Sequence, residues 1–190
     1  MASVTSTQLE HSPGSGLVTG VNQLESPNHD NRPDGCVIDV IVIHAISLPP
    51  DCFGGSHVHD LFTNNLDVAF HPYFREVCDS RVSSHFYIDR AGKMTQFVPT
   101  IRRAWHAGES VFMGREKVND FSIGIELEGC DSLEFEEIQY VNLALLTQCL
   151  RAAFPLIASN NIIGHSDISP GRKTDPGPCF NWERFLGERD

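Results

Sequence analysis

The sequence predicts a single α/β domain in which a central mixed β-sheet is flanked by helices. Its 190 residues, 41% of them hydrophobic, suffice for one sizeable core. Several short apolar runs are β-branched or alternate in polarity, as strands do, and one longer stretch carries apolar residues at helical spacing. Strands mixed with one long helix and several short ones are typical of α/β domains. We expect this domain to cover residues 17–190.

The first half of the chain is predicted to contain a tail, a buried strand and a long loop. Residues 1–16 are rich in Ser, Thr and Gly without periodicity, which predicts a flexible N-terminal tail. Residues 37–45 form a nearly continuous β-branched run, which predicts a strand covered on both faces. The stretch 46–80 is polar and rich in turn formers, and it predicts a loop with short helical pieces.

The second half is predicted to supply a hairpin, further strands and the long helix. Residues 82–88 and 94–98 predict a hairpin with Gly92 in its turn. Residues 121–127 alternate in polarity and predict a strand with one polar face. A short strand is expected at 161–164, followed by a loop rich in Pro and Gly.

The long helix is predicted to begin at a capping pair, Asp131 with Glu134, and to end before Pro155. Its apolar positions are Phe135, Ile138, Val141, Leu145, Cys149 and Leu150. These positions predict the face that packs against the sheet.

Composition excludes some classes of partner. The chain has 25 acidic and 14 basic residues, and its net charge of -11 would repel phosphate backbones, so we expect no nucleic-acid partner. No apolar run is long enough to cross a bilayer, and the N-terminus lacks signal-peptide features, so membrane insertion and export are not expected. The six cysteines form no C-x-x-C pair and are interpreted as reduced thiols, with disulfides as the alternative. Nothing in the sequence indicates an obligate protein partner.

Three residues have the character of a zinc site. His44 and His165 each end a predicted strand, and Asp175 follows in a loop rich in Gly and Pro. Zinc in hydrolases typically takes three N or O ligands and leaves one position for water. From spacing alone the alternative stays open that both histidines are hydrogen-bonded strand-end residues without a metal.

Six motifs in a fixed order resemble one known family. They are VIHAISLPP, FGG, RVSSHFYIDRAG, the run from Arg103 to Gly108, NDFSIGIELEG and GHSDISPGRKTDPGP. Together they resemble the type 2 N-acetylmuramoyl-L-alanine amidases, and within that family the cytoplasmic enzymes that act on anhydromuropeptides. The resemblance runs from about residue 26 to residue 185, and it implies the fold shared by these amidases and the peptidoglycan recognition proteins.

The resemblance implies that His44, His165 and Asp175 bind one Zn²⁺ per chain. Asp167 is the rival carboxylate because it lies two residues after His165, but a role in bonding the backbone of the following turn is the preferred interpretation.

The resemblance also implies two catalytic residues, Glu126 as general base and then acid, and Lys173 as a partner of the developing oxyanion. Glu128 lies on the same predicted strand face as Glu126 and is interpreted as solvated or paired. No serine or cysteine lies in a recognisable nucleophile motif, so a covalent mechanism is not favoured.

Substrate contacts implied by the resemblance are Arg81, Trp105 and Arg115. The arginines would pair with peptide carboxylates and Trp105 would pack against sugar or peptide, although each of the three could instead be structural. The sequence departs from the family at Ala45, where asparagine commonly follows the first zinc histidine. We therefore expect one polar contact near the site to be missing.

The function implied is hydrolysis, in the bacterial cytoplasm, of the amide between (1,6-anhydro-)N-acetylmuramic acid and L-alanine in muropeptides during cell-wall recycling. Two other classes remain as alternatives: a phage-type or secreted lytic amidase, and a non-catalytic peptidoglycan-binding module. A binding module is expected to lose a ligand or the base, whereas the chain retains all of them.

Overall fold

The computed structural model describes residues 8–187. Its longest elements are two strands of seven residues and one helix of seventeen. The strands are β1 (Glu10–His11), β2 (Val18–Thr19), β3 (Asn22–Gln23), β4 (His29–Asn31), β5 (Val40–Ile46), β6 (Phe86–Ile88), β7 (Met94–Gln96), β8 (Arg102–Ala104), β9 (Val111–Phe112), β10 (Arg115–Glu116), β11 (Ser122–Glu128) and β12 (Ile162–Gly164). The helices are α1 (His57–Phe62), α2 (Phe74–Val77), α3 (Glu137–Ala153), α4 (His165–Ile168) and α5 (Trp182–Leu186), with short 3-10 turns at Val118–Asp120 and Ser159–Asn161.

The central sheet has six strands in the order β12-β5-β11-β6-β7-β3. β12, β5, β11 and β6 run parallel to one another, β7 is antiparallel to β6, and β3 is parallel to β7. The predicted mixed sheet and α/β class are therefore confirmed. Parallel strands end at one edge of a sheet, and ligand sites in such sheets lie at that edge.

Both faces of the sheet are buried because β5 and β11 alternate between two cores. Ile41 and Ile43 of β5 pack with Ile123 and Ile125 of β11 in the core that contains α3. Val40 and Val42 point the other way, into a core with Ala107, Val118 and Ile168. His44 follows Val42 at the strand period of two, so it emerges on the face away from α3.

The polar face predicted for β11 exists, but the whole strand is buried. Ser122, Gly124, Glu126 and Glu128 face segments of the chain that cover this side of the sheet rather than solvent. A polar stripe that is enclosed in this way needs internal partners; Ser122 and Glu128 have them, whereas Oε2 of Glu126 has none.

The long helix begins at Glu137, six residues after the predicted start. Its capping box joins Glu136 and Gln139, not Asp131 and Glu134. Cys130 forms a β-bridge with Leu133, which holds the preceding residues in a turn. The side chains buried on this helix are Gln139, Tyr140, Leu143, Leu146, Thr147 and Leu150.

The predicted core face of this helix is therefore wrong for three of its residues. Ile138, Val141 and Leu145 are 40–43% exposed.

The prediction of a flexible tail is wrong for residues 8–16, which pack against the rest of the domain. β1 pairs with β2, and Leu9 packs against the main core. The Gly16 carbonyl accepts hydrogen bonds from Gln96 Nε2 and from the backbone N of Thr100, both at 2.9 Å. Residues 1–7 of the predicted tail lie outside the described residues.

All six cysteines are free thiols in the structure. Across residues 8–187, none of the helices combines the length and the apolarity that crossing a bilayer demands.

Candidate functional site

His44, His165 and Asp175 converge at the carboxyl edge of the sheet. His44 belongs to β5, and His165 follows β12, which pairs with β5. Asp175 comes back to the same place because its carbonyl accepts a hydrogen bond from Ser166 N at 2.9 Å. His44 Nδ1 lies 3.0 Å from both His165 Nδ1 and Asp175 Oδ2, and His165 Nδ1 lies 3.1 Å from Asp175 Oδ2. These three atoms can serve as ligands of one metal ion.

The protonation states of the cluster suit a divalent cation. Burial lowers the pKa of His44 and favours the neutral ring, although Asp175 opposes this shift. Burial works against ionisation of Asp175, but its close contacts with His165 and His44 outweigh burial and lower the pKa of this carboxyl. A neutral imidazole, as favoured at His44, and an ionised carboxylate, as favoured at Asp175, are forms that bind metals. The donor set of two nitrogens and one oxygen matches that of catalytic zinc sites.

Glu126 lies beside this cluster because the register of β11 and β5 pairs it with His44. Its side chain is buried, and Oε2 has no hydrogen-bond partner. Burial, reinforced by the charge of Asp175 and opposed by Lys173, raises the pKa of Glu126 well above its usual value. A carboxyl group with high proton affinity and a free oxygen is suited to accept and return a proton.

Glu128, on the same strand face, has a different environment. Its carboxylate accepts hydrogen bonds from the backbone N of Arg90, at 3.0 Å, and of Gly54. It is therefore a structural residue, as the paired interpretation predicted. Asp167 is also occupied, because its Oδ2 accepts from Gly164 N at 2.8 Å. Its backbone partner precedes it, whereas the prediction placed that partner in the following turn.

The cluster opens into a cavity of about 370 Å³. Glu126 and Lys173 line it together with the three candidate ligands, so the five residues implied as metal-binding or catalytic share one space. The cavity also has an apolar wall, formed by Leu48, Pro50, Leu61, Phe62, Val77 and Val82. Ala45 lines it too and contributes only a methyl group where a polar side chain was expected.

Only one of the three residues predicted to contact the substrate lines the cavity. Trp105 lines the cavity. Arg81 is exposed and is not part of the wall, although Val82 and Ser83, which follow it, are.

Arg115 is not brought to the cavity. It pairs with Asp39 at 3.0 Å and lies over the Phe121 ring, with 3.9 Å from Cζ to the ring centroid. These partners precede β5 and β11, so Arg115 lies toward the opposite edge of the sheet from His44.

Sequence reasoning assigned no catalytic role to the residues that surround the two histidines. His106 Nδ1 lies 2.9 Å from His44 Nε2, and the Ala107 carbonyl lies 3.1 Å from His165 Nε2. Arg172 donates to the same carbonyl at 2.8 Å. The position of His106 next to Trp105 in a family motif was the available signal, but its partner across the sheet could not be inferred from spacing.

Comparison with known proteins places the chain among amidases. The family described as N-acetylmuramoyl-L-alanine amidase matches residues 33–178. The chain is 52% identical over 171 residues to the 1,6-anhydro-N-acetylmuramyl-L-alanine amidase AmpD of Haemophilus influenzae, covering 90% of this chain and 93% of that protein. It is 50% identical over 170 residues to AmpD of Escherichia coli, with 90% and 92% covered.

Solved structures agree with the sequence comparison. A crystal structure of a selenomethionine derivative of AmpD superposes with a TM-score of 0.87 at 48% identity, covering 90% of this chain and 95% of that one. A complex of Escherichia coli AmiD with anhydro-N-acetylmuramic acid-L-Ala-D-γ-Glu-L-Lys gives a TM-score of 0.58 at 28% identity, with 94% and 64% covered. The chain therefore belongs to the N-acetylmuramoyl-L-alanine amidase family.

Proposed function

We propose that the chain is a zinc amidase that hydrolyses the bond between 1,6-anhydro-N-acetylmuramic acid and L-alanine in muropeptides, in the cytoplasm, during cell-wall recycling. The observation that carries this proposal is the convergence of His44, His165 and Asp175 in one cavity with the unpartnered carboxyl of Glu126. Its substrate follows from the AmpD relatives, which match this chain over nine-tenths of its length.

The proposed zinc ligands are His44, His165 and Asp175. Bound there, zinc would supply a Lewis acid that polarises the amide carbonyl and makes water acidic enough to ionise near neutral pH. Glu126 takes a proton from the attacking water through its free Oε2 and returns it to the departing alanine amine.

Lys173 lines the same cavity and carries a positive charge near Asp175 and Glu126. We assign it to the oxygen that becomes negative when water adds to the carbonyl. Trp105 borders the cavity and is assigned to packing against the substrate. Arg81 is retained as a contact for a peptide carboxylate, because it is exposed at the rim beside Val82.

The alternatives of a lytic amidase and a binding module are less well supported. Solved lysin structures resemble this chain at 17% identity, which concerns the fold alone. A binding module would not need Glu126, whose buried and unpartnered carboxyl lowers stability, whereas a catalytic role accounts for its presence.

The test measures zinc content together with release of L-Ala-peptide from an anhydromuropeptide, before and after chelation. We expect about one zinc per chain and cleavage that is lost on chelation. Glu126→Gln should keep its zinc and lose about 100- to 10,000-fold in turnover, the usual contribution of a general base.

Asp175→Asn and Asp167→Asn form a matched pair for the ligand assignment. The first should lose zinc, and the second should retain zinc and activity, because Asp167 is engaged with Gly164 N. Wild-type protein that binds muropeptide without zinc and without cleavage would contradict the proposal.

A further inference from the structure

His106 is buried between the candidate ligand His44 and strand β11. Its Nδ1 lies 2.9 Å from His44 Nε2, and its Nε2 lies 3.2 Å from Ser122 Oγ. Ser122 Oγ in turn donates to the Val118 carbonyl at 2.7 Å. A continuous chain of hydrogen bonds thus runs from His44 to a backbone carbonyl.

The direction of every bond in this chain is determined by its last member. A carbonyl only accepts, so the single Ser122 hydroxyl proton points to Val118 O. The Ser122 oxygen must then accept the proton on His106 Nε2. The His106 ring is buried against His44, His85 and Gly124, and no carboxylate is among the partners described for its two nitrogens, so the ring is neutral and Nδ1 is an acceptor.

The tautomer of His106 in turn determines the tautomer of the candidate ligand His44. His44 must carry its proton on Nε2 in order to donate to His106 Nδ1. Its Nδ1 is therefore unprotonated, and this is the atom that lies 3.0 Å from His165 Nδ1 and from Asp175 Oδ2. The ring nitrogen that carries no proton is the one able to bind a metal.

Ala107, the residue after His106, fixes the position of the proton on the second candidate ligand, His165. The Ala107 carbonyl accepts from His165 Nε2, so the lone pair of His165 is also on Nδ1. Asn119 Oδ1 holds this dipeptide in place by accepting from the backbone N of His106, at 3.1 Å, and of Ala107, at 2.8 Å. His106 and Ala107 thus determine which ring nitrogen carries the proton in His44 and in His165.

Gly124 of strand β11 leaves room for the His106 ring because it has no side chain. A Cβ atom there would lie 2.6 Å from His106 Cγ, which is far inside van der Waals contact. His106 therefore packs directly on the strand backbone, and its orientation is fixed by packing as well as by hydrogen bonds.

We infer that His106 is a positioning residue that, anchored by Ser122, holds His44 in the tautomer that coordinates zinc. This inference rests on the proposed function, because it assigns residues to the same zinc site. Residues that hydrogen-bond to metal ligands typically contribute about 10- to 100-fold to metal affinity.

The test compares His106→Leu with His85→Leu by chelator competition for zinc. His85 is also a buried histidine; its Nδ1 accepts from Gly124 N, and none of its described hydrogen bonds reaches a candidate ligand. We expect His106→Leu to weaken zinc binding about 10- to 100-fold. His85→Leu should lower the melting temperature and leave zinc affinity unchanged. His106→Asn should recover part of the affinity, because its amide oxygen can accept from His44 Nε2.

A second readout follows the protons themselves. Two-bond ¹H–¹⁵N spectra of the zinc-loaded protein should show His106 protonated on Nε2 alone, and Ser122→Ala should abolish this preference and weaken zinc binding. This variant removes one oxygen and keeps the ring, so the inference stays testable if His106→Leu does not fold.

The outcomes separate the two proposals. Wild-type protein that binds no zinc contradicts the proposed function. Wild-type protein that binds zinc, with equal affinity in the folded His106 and Ser122 variants, overturns only the positioning role. Equal weakening by His85→Leu and His106→Leu also overturns it, since general packing would then explain both.

Discussion

Glu126 combines the features that make a residue useful for catalysis and unfavourable for stability. It is buried, one carboxyl oxygen has no partner, and its pKa is raised well above the usual value. An ionised carboxylate in that position has lost its hydration without full replacement by hydrogen bonds. We therefore expect the zinc-free protein to be destabilised by this residue at neutral pH.

Glu126→Gln should raise the free energy of unfolding of the zinc-free protein, and by more as pH increases. Below the ordinary pKa of a glutamate, near 4.5, the carboxyl is protonated in both states and the variant should match the wild type. Above it the unfolded chain releases the proton first, so the wild-type protein loses stability until the raised folded-state pKa is passed. Urea unfolding of metal-free protein at several pH values measures the difference.

Glu128→Gln is the matched control, because it lies on the same strand face and accepts two backbone hydrogen bonds. Its replacement should destabilise the protein at neutral pH by weakening charge-assisted bonds. A Glu126→Gln protein that is less stable than wild type throughout the pH range would show that the carboxylate has a stabilising partner.

The candidate metal ligands could be located from the sequence, whereas no role could be assigned from it to the residues that hydrogen-bond to them. His44 and His165 end strands, and parallel strands bring their carboxyl ends together, so local pattern and family motif indicated the same residues. His106 reaches His44 from 62 residues away in sequence. Its role depends on a contact across the sheet and on the room left by Gly124, and neither leaves a local signal.

At the scale of elements, the strands were predictable because burial on both faces requires β-branched and alternating residues. The face of α3 was not, because this helix carries two apolar stripes. One contains Ile138, Val141 and Leu145, and the other contains Leu143 and Leu146. The stripe that is buried also includes the polar side chains of Gln139 and Thr147, which interrupt its apolar pattern.

Gln139 explains how a polar residue lies within the buried face. Its side-chain amide donates to the carbonyls of Ile88 and Glu128, at 3.3 and 3.0 Å, and its oxygen accepts from Glu136 N. The helix start is thereby joined to the ends of β6 and β11. These partners come from distant segments, so hydrophobic periodicity alone selected the other stripe.

Leu143→Ala and Leu145→Ala distinguish the two faces. Leu143 is fully buried, so its truncation should cost about 2–5 kcal/mol of unfolding free energy. Leu145 is 43% exposed, and its truncation should cost less than about 1 kcal/mol. Denaturant unfolding measures both, and equal losses would mean that α3 packs through both stripes.

At the scale of the whole molecule, the main core and the candidate site lie on opposite faces of one sheet. α3 packs on one side through Ile41, Ile43, Ile123 and Ile125. His44 and Glu126 leave the same two strands on the other side, where the cavity lies. A rigid sheet between them can hold the site residues in fixed positions, although Glu126 itself is unfavourable for folding.

The N-terminal segment belongs to the stabilising part of the molecule, although composition predicted a tail. His11 Nε2 lies 2.7 Å from Thr100 Oγ1, and the His11 ring packs edge-on against Phe154 at 5.1 Å between centroids. The Gly16 carbonyl accepts hydrogen bonds from Gln96 and Thr100, so this segment connects the end of β7 and the residues after it with the end of α3. Ser, Thr and Gly are common in tails, but these contacts are made by backbone atoms and one histidine, which composition does not reveal.

Deletion of residues 1–16 should therefore lower the free energy of unfolding relative to deletion of residues 1–7, and the difference isolates residues 8–16. Each internal hydrogen bond lost contributes about 0.5–1.5 kcal/mol, and the removal of Leu9 exposes part of the main core as well. Zinc affinity should be the same in both proteins, because residues 8–16 make no described contact with His44, His165 or Asp175. His11→Ala in the full chain should give part of the loss. Equal unfolding free energies for the two deletions would restore the flexible-tail prediction, whereas a loss of zinc affinity in the longer deletion would show that this segment supports the site through the sheet.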